Sequence, residues 1–247
     1  MSELKIDNPA QRLLDLISEG KNFNSTDYSR EVWKKLLDIP DADEQVLMAR
    51  LAGVMALPVR ISQVISDHFP DPRWNPTHWR TQVEKAFFSQ ELNGIWSKFY
   101  THIDSQTLSE LGMLSMLFEQ RGEHAAIALE EIDTFLGRII ELREEIRQSG
   151  LSPAMKTMLL RQLFLIQEAL ESYSISGIEP VMDAVQSTLG LAVIDAEYRE
   201  EISKGTGSQF GDKISSLLGD VANVVTVAGA LPSLSAAIHT ALTYLSK

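Results

Sequence analysis

The sequence contains no cysteine, and this absence removes three kinds of chemistry at once. A chain without a thiol forms no disulfide, holds no zinc through thiolates and has no cysteine nucleophile. The N-terminal residues also lack the basic-then-apolar pattern of a secretory signal peptide. Both absences are typical of proteins from a reducing compartment, so we expect a cytoplasmic protein.

Basic residues are scarce as well. The chain has 22 lysines and arginines and 34 aspartates and glutamates, which gives a formal net charge of −12. No segment holds a dense basic patch. Nucleic acids are bound by clustered lysines and arginines that contact their phosphates. The composition therefore argues against nucleic acid as a partner.

The familiar catalytic and metal-binding motifs are missing too. None of the five histidines belongs to a His-Glu-x-x-His or Glu-x-x-His pair, and there is no Gly-x-Ser-x-Gly elbow. His124 follows Glu123 and precedes Glu130, Glu131 and Asp133, a set that could hold a metal. We favour a solvated helix start with favourable charges instead. We therefore expect no catalytic residue, no metal and no cofactor, in a protein that is not an enzyme.

Alternating strand patterns are almost absent, whereas apolar residues recur at helical spacing along the whole chain. The sequence therefore predicts an all-α fold, a multi-helix bundle with a long antiparallel helical hairpin over 123–174 and an uncharged C-terminal helical hairpin. Asn8 before Pro9 is the signature of a capped helix start.

Other local signals place further helix boundaries. Asn75 before Pro76 predicts a second start of the same kind, and Asp27 is the expected cap of another helix. Pro58 is expected to kink or break a helix that begins near residue 41 and passes through Leu47, Leu51 and Met55.

Three regions follow from these patterns. Residues 1–103 form an N-terminal helical region with an aromatic core, and 104–206 form an acidic helical bundle, with helices expected at 105–121, 123–148, 153–174 and 180–204. Residues 207–247 form a glycine-hinged apolar hairpin. The aromatic residues of the first region favour a core over a docking surface by their helical spacing: Phe69, Trp74, Trp79, Phe87, Phe88, Trp96, Phe99 and Tyr100.

The C-terminal region carries no charged side chain between Asp220 and Lys247, a run of 26 residues. Pro232 divides it into two predicted helices, the first over about 212–231. The glycine-rich segment 203–208 before it lacks the spacing of a phosphate-binding loop, so we expect a hinge. The apolar face of the two helices is the predicted interaction surface: Leu217, Leu218, Val221, Val224, Val225, Leu231, Leu234, Ile238, Leu242 and Leu245.

Two functions fit such a tail. In the first, the protein is a non-enzymatic helical interaction or regulatory module that acts through association of its C-terminal hairpin with a protein partner or a second copy. In the second, the hairpin is released from the body and inserts into a membrane, as in a bacterial pore-forming effector. A bilayer span needs about 20 apolar residues, and the second tail helix has only about 14. We therefore expect the first function and keep the second as the alternative.

Overall fold

The computed structural model describes residues 8–39, 43–69, 71–120, 127–195 and 208–225. Within these ranges the all-α prediction is confirmed: the described residues form eleven α-helices and no strand, apart from one isolated bridge between Tyr28 and Ile95. The N-terminal helices are α1 (Pro9–Gly20), α2 (Ser29–Leu36), α3 (Glu44–His68), α4 (His78–Ser89), α5 (Ser97–Tyr100) and α6 (Ser105–Glu119). The others are α7 (Leu129–Gln148), α8 (Pro153–Glu171), α9 (Tyr173–Ser176), α10 (Ile178–Ile194) and α11 (Ser208–Val225).

The described helices fall into two compact units. The N-terminal unit contains residues 8–120 together with Ser174–Ser176, and the C-terminal unit contains 127–173, 177–195 and 208–225. This division differs from the predicted one at residue 103, because α6 packs against α1 and α4. It also differs at residue 207, because α11 packs against α7 and α10 rather than forming a region of its own.

The first helix begins where its cap predicts. The Asn8 side chain accepts hydrogen bonds from the backbone N–H groups of Ala10 and Gln11, both at 3.0 Å. The same side chain is buried and donates to the Ser115 carbonyl oxygen on α6 at 2.7 Å. Asn8 therefore caps α1 and also fastens its start to α6.

An aromatic cluster forms the centre of the N-terminal unit. Trp33 makes edge contacts with Trp96 and Phe99 at ring-centroid distances of 5.3 and 5.2 Å, and Trp96 stacks on Phe99 at 4.8 Å. The Trp96 indole N–H donates to the Gly20 carbonyl oxygen at 2.8 Å. A Cβ atom on Gly20 would lie 3.0 Å from the Trp96 ring, so this close approach needs a glycine. These three rings are buried in the core of the N-terminal unit.

Two of the eight aromatic residues assigned to that core lie at the surface instead. Phe88 is 87% exposed and Trp74 is 40% exposed. Phe88 directly follows the buried Phe87 on α4, so a helical step of one residue turns it away from the core.

Helix α3 runs from Glu44 to His68 without a break at Pro58, where the sequence predicts a kink or a break. Leu57 and Ile61, which lie on either side of the proline, are fully buried. Packing on both sides of Pro58 thus outweighs the missing N–H group and holds a single helix.

The starts of α2 and α4 differ from the predictions. Helix α2 begins at Ser29 with Tyr28 as N-cap, because the Asp27 side chain accepts from the Asn24 backbone N–H at 3.1 Å in the preceding loop instead of capping the helix. Helix α4 begins at His78, with Thr77 rather than Asn75 at the N-cap.

The C-terminal unit is built from α7, α8, α10 and α11 around one core. Ser152 caps α8 by accepting from the Met155 N–H at 3.3 Å, with Pro153 in the first turn. Helices α7 and α8 pack against each other, as do α8 and α10. Ser208, the last residue of the segment expected to be a hinge, is the first residue of α11.

Candidate functional site

The predicted tail surface is covered, as far as the structure describes it, by the C-terminal unit itself. Leu217, Leu218 and Val221 lie on α11 and are at most 1% exposed, and Val224 is partly buried against the same core. Val225 ends the helix. The remaining predicted residues lie outside the described residues: Leu231, Leu234, Ile238, Leu242 and Leu245.

A cavity of about 390 Å³ lies between α7 and α11. Two ion pairs cross it: Lys213 donates to Glu145 at 2.7 Å, and Arg138 donates to Asp220 at 2.7 Å. Arg138 also donates to the Ser216 hydroxyl at 3.3 Å. The lining residues are Arg138, Glu141, Leu142, Glu145, Asp212, Lys213, Ser216 and Leu217. Carboxylates of the chain engage both cations of the cavity, which argues against an anion site there.

Titratable side chains form no metal centre among the residues that the structure describes. His78 and Asp104 make the closest histidine–carboxylate contact in that part of the chain, with Nε2 2.8 Å from Oδ2. Asp104 is also the N-cap of α6, accepting from the Thr107 N–H and hydroxyl at 2.8 Å each. This pair therefore secures the starts of two helices. His124 and its neighbour Glu123 lie outside the described residues.

The outer face of α3 carries a series of exposed apolar side chains. Met48 and Met55 are each 45% exposed and Val59 is 60% exposed. Ala52 lies between them and is also exposed, and Gln45 continues the face toward the N-terminus. These five residues follow one another at steps of three, four, three and four, which is the a/d spacing of a coiled-coil seam. We name them the α3 seam.

No charged side chain belongs to the α3 seam, and Glu44, Arg50 and Arg60 of the same helix contact other parts of the N-terminal unit. Arg50 donates to the Leu37 carbonyl oxygen at 2.7 Å, and Arg60 hydrogen-bonds the Ser176 carbonyl oxygen. Glu44 forms ion pairs with Arg30 and Lys34. The arginines and the glutamate thus leave an uncharged strip along the helix.

The sequence interpretation did not identify the α3 seam, because it grouped Met55 with Leu47 and Leu51 in one apolar series along the helix. The structure corrects this: the buried residues of α3 in this region are Leu47, Leu51 and Val54, and Met55 faces outward. Both series obey helical spacing, so periodicity alone could not identify the core face. The signal in the sequence that could have identified the α3 seam is a second series of apolar residues at helical spacing, Met48, Ala52, Met55 and Val59.

Comparison of the chain with protein-family models, with curated proteins and with solved structures finds no match.

Proposed function

We propose that this chain is a non-enzymatic helical interaction module that associates with protein through the α3 seam. The observation that carries the proposal is an exposed, uncharged a/d series of five residues on a chain with a net charge of −12. Monomeric proteins rarely expose large contiguous apolar patches, and such patches mark interaction sites.

This proposal moves the associating surface from the tail to α3. The described tail residues Leu217, Leu218 and Val221 stabilise the core of their own unit and are not accessible. Exposing them would cost about 1.5–3 kcal/mol for each large side chain. The predicted tail residues from Leu231 onward remain a second candidate surface.

A membrane-active protein is the second candidate function, and α3 itself supports it. Among the described helices, α3 is the one long and apolar enough to cross a bilayer, with a mean hydropathy of 1.3 in its most apolar window, of which 33% is buried. The same helix supplies five buried side chains to the core of the N-terminal unit: Leu47, Leu51, Val54, Leu57 and Ile61. Insertion of α3 into a membrane would remove these side chains from that core. Protein association leaves that core intact, so we favour it.

The test places the photo-crosslinking residue p-benzoylphenylalanine at Met55 of the full-length chain. A matched variant carries it at Met116 of α6, which is 67% exposed and lies outside the α3 seam. After irradiation of producing cells, adducts are identified by mass spectrometry. We expect a specific protein adduct at position 55 that is absent at 116.

Two results would contradict the proposal. The first is equal labelling at both positions, which shows that position 55 has no dedicated partner. The second is flotation of the intact purified protein with liposomes, abolished by Met55→Glu but not by Met116→Glu, which favours the membrane function.

A further inference from the structure

We infer that the occupant of the α3 seam is the α3 seam of a second copy of this chain, packed antiparallel in a two-fold symmetric dimer. This inference rests on the proposed function, since it names the partner for the same surface. Identical subunits most often pair through one self-complementary patch, so such a patch must fit its own copy after a two-fold rotation.

The residue sizes along the α3 seam fit this rotation. In an antiparallel helix pair, an a position of one helix packs against a d position of the other. Ala52 of one copy then meets Met55 of its partner, and Met48 meets Val59. The small alanine faces the long methionine on both sides of the two-fold axis, so large side chains interdigitate with small ones at the centre. Met48 and Val59 close the two ends.

The charge of the chain limits where two copies can touch. Each chain carries a net charge of −12, so two copies repel each other over most of their surfaces. The α3 seam has no charged side chain, and it is therefore a place where two copies can touch without opposing like charges. Antiparallel packing also sets the positive end of one helix beside the negative end of the other.

The size of the contact sets its strength. From Gln45 to Val59 the α3 seam is about 21 Å long, at 1.5 Å per residue. Stable complexes bury about 800 Å² on each partner, and a single helix-on-helix contact of this length buries less. We therefore expect a reversible dimer that dissociates on dilution rather than a permanent one.

The first experiment measures self-association of the purified full-length chain by sedimentation velocity across a concentration series. We expect a monomer–dimer equilibrium for the natural protein. Met55→Glu places two like charges at the centre of the symmetric contact and should raise the dimer dissociation constant at least about tenfold. Met116→Glu makes the same change on α6 and should leave it unchanged. Tryptophan fluorescence checks that both variants are folded, because Trp33, Trp74, Trp79 and Trp96 all belong to the N-terminal unit.

The second experiment tests the orientation and uses the lack of natural cysteine. Full-length Met48→Cys and Val59→Cys chains are mixed and oxidised mildly, and the masses of the linked dimers are measured. Antiparallel packing brings position 48 of one copy opposite position 59 of the other, so mixed dimers should dominate. Two copies of position 48 would then be separated by about 16 Å along the axis, far beyond the Cα spacing of about 4.4–6.8 Å in a disulfide.

The outcomes separate this inference from the proposed function. A purified protein that stays monomeric, while photo-crosslinking at position 55 captures a different identified protein, overturns the dimer and leaves the interaction module standing. A dimer that Met55→Glu does not weaken, or one in which the 48–48 linkage dominates, also overturns the inference. A monomer without any specific adduct overturns both.

Discussion

Asn8 shows how one side chain serves two elements. It caps α1 and also donates to the Ser115 carbonyl oxygen from a buried position. The local dipeptide Asn-Pro predicts the cap, whereas the hydrogen bond to Ser115 joins residues 107 positions apart in the sequence. Sequence reasoning could therefore predict the first role and not the second.

Asn8→Ala should lower the free energy of unfolding of the N-terminal unit by about 2–3 kcal/mol, since it removes a cap worth about 1 kcal/mol and two buried hydrogen bonds from the Asn8 side chain to Ser115. Urea unfolding followed by tryptophan fluorescence measures this unit selectively. Ser152→Ala removes only a cap on α8, so its cost should stay near 1 kcal/mol when unfolding is followed by circular dichroism. Equal losses in both variants would contradict the double role of Asn8.

Asp104 makes stability depend on acidity. Hydrogen bonds from the Thr107 N–H and hydroxyl, helped by His78, lower the pKa of Asp104 from 3.8 to about 2. A carboxyl group whose pKa is lower in the folded state stabilises that state fully above its unfolded pKa. The contribution is lost as the pH falls from about 4 toward 2. The carboxylate form of Asp104 thus supports the start of α6.

Asp104→Asn should therefore reduce the loss of unfolding free energy between about pH 4 and pH 2, because asparagine still caps the helix but does not titrate. The free energy of unfolding is measured in urea at several pH values between 2 and 5, with tryptophan fluorescence as the signal. Asp133→Asn, on the exposed face of α7, is the control and should keep the slope of the natural protein. A variant at 104 with an unchanged slope would rule out this role.

At the scale of a helix, burial distinguishes neighbouring residues that look alike in the sequence. Ile139 and Ile140 are adjacent on α7, yet Ile139 is fully buried and Ile140 is 58% exposed. Ile139→Ala should cost about 2–5 kcal/mol of unfolding free energy, because it removes packed methyl groups and leaves a cavity. Ile140→Ala should change stability by less than about 0.5 kcal/mol. Urea unfolding followed by circular dichroism compares the two, and similar midpoints would show that the core face of α7 is assigned wrongly.

The helices also show which boundaries a sequence can predict. Helices α1 and α8 begin at Asn8-Pro9 and Ser152-Pro153, where cap and proline are neighbours. The start of α4 is different, because the backbone N–H of Trp79 donates to the Glu110 carboxylate of α6 at 2.9 Å. A cap supplied from a distant residue leaves no local signal.

At the scale of the whole chain, the two units do not follow the order of the sequence. Ser174–Ser176 belongs to the N-terminal unit although α8 before it and α10 after it belong to the other. Ile175 is buried in the N-terminal core, where its methyl group would lie 3.2 Å from a Cβ placed on Gly53. The close fit at Gly53 explains the glycine. No composition shift marks such a short insertion, so the sequence does not predict it.

Removal of residues 208–247 tests what the tail does for the whole molecule. Helix α11 contributes five large buried side chains to the C-terminal core: Phe210, Ile214, Leu217, Leu218 and Val221. At about 1.5–3 kcal/mol each, their loss is comparable with the whole stability of a typical domain, about 5–15 kcal/mol. The C-terminal unit should then unfold or aggregate, with a loss of helical circular dichroism. The tryptophan transition of the N-terminal unit should persist, because α11 supplies no side chain to that core.

A second truncation, after Val225, is the control: it keeps all five side chains and should retain most of the helical signal. A fully helical, unaggregated chain after removal of 208–247 would show that α11 is a detachable element, and the tail would again be the first candidate for the associating surface.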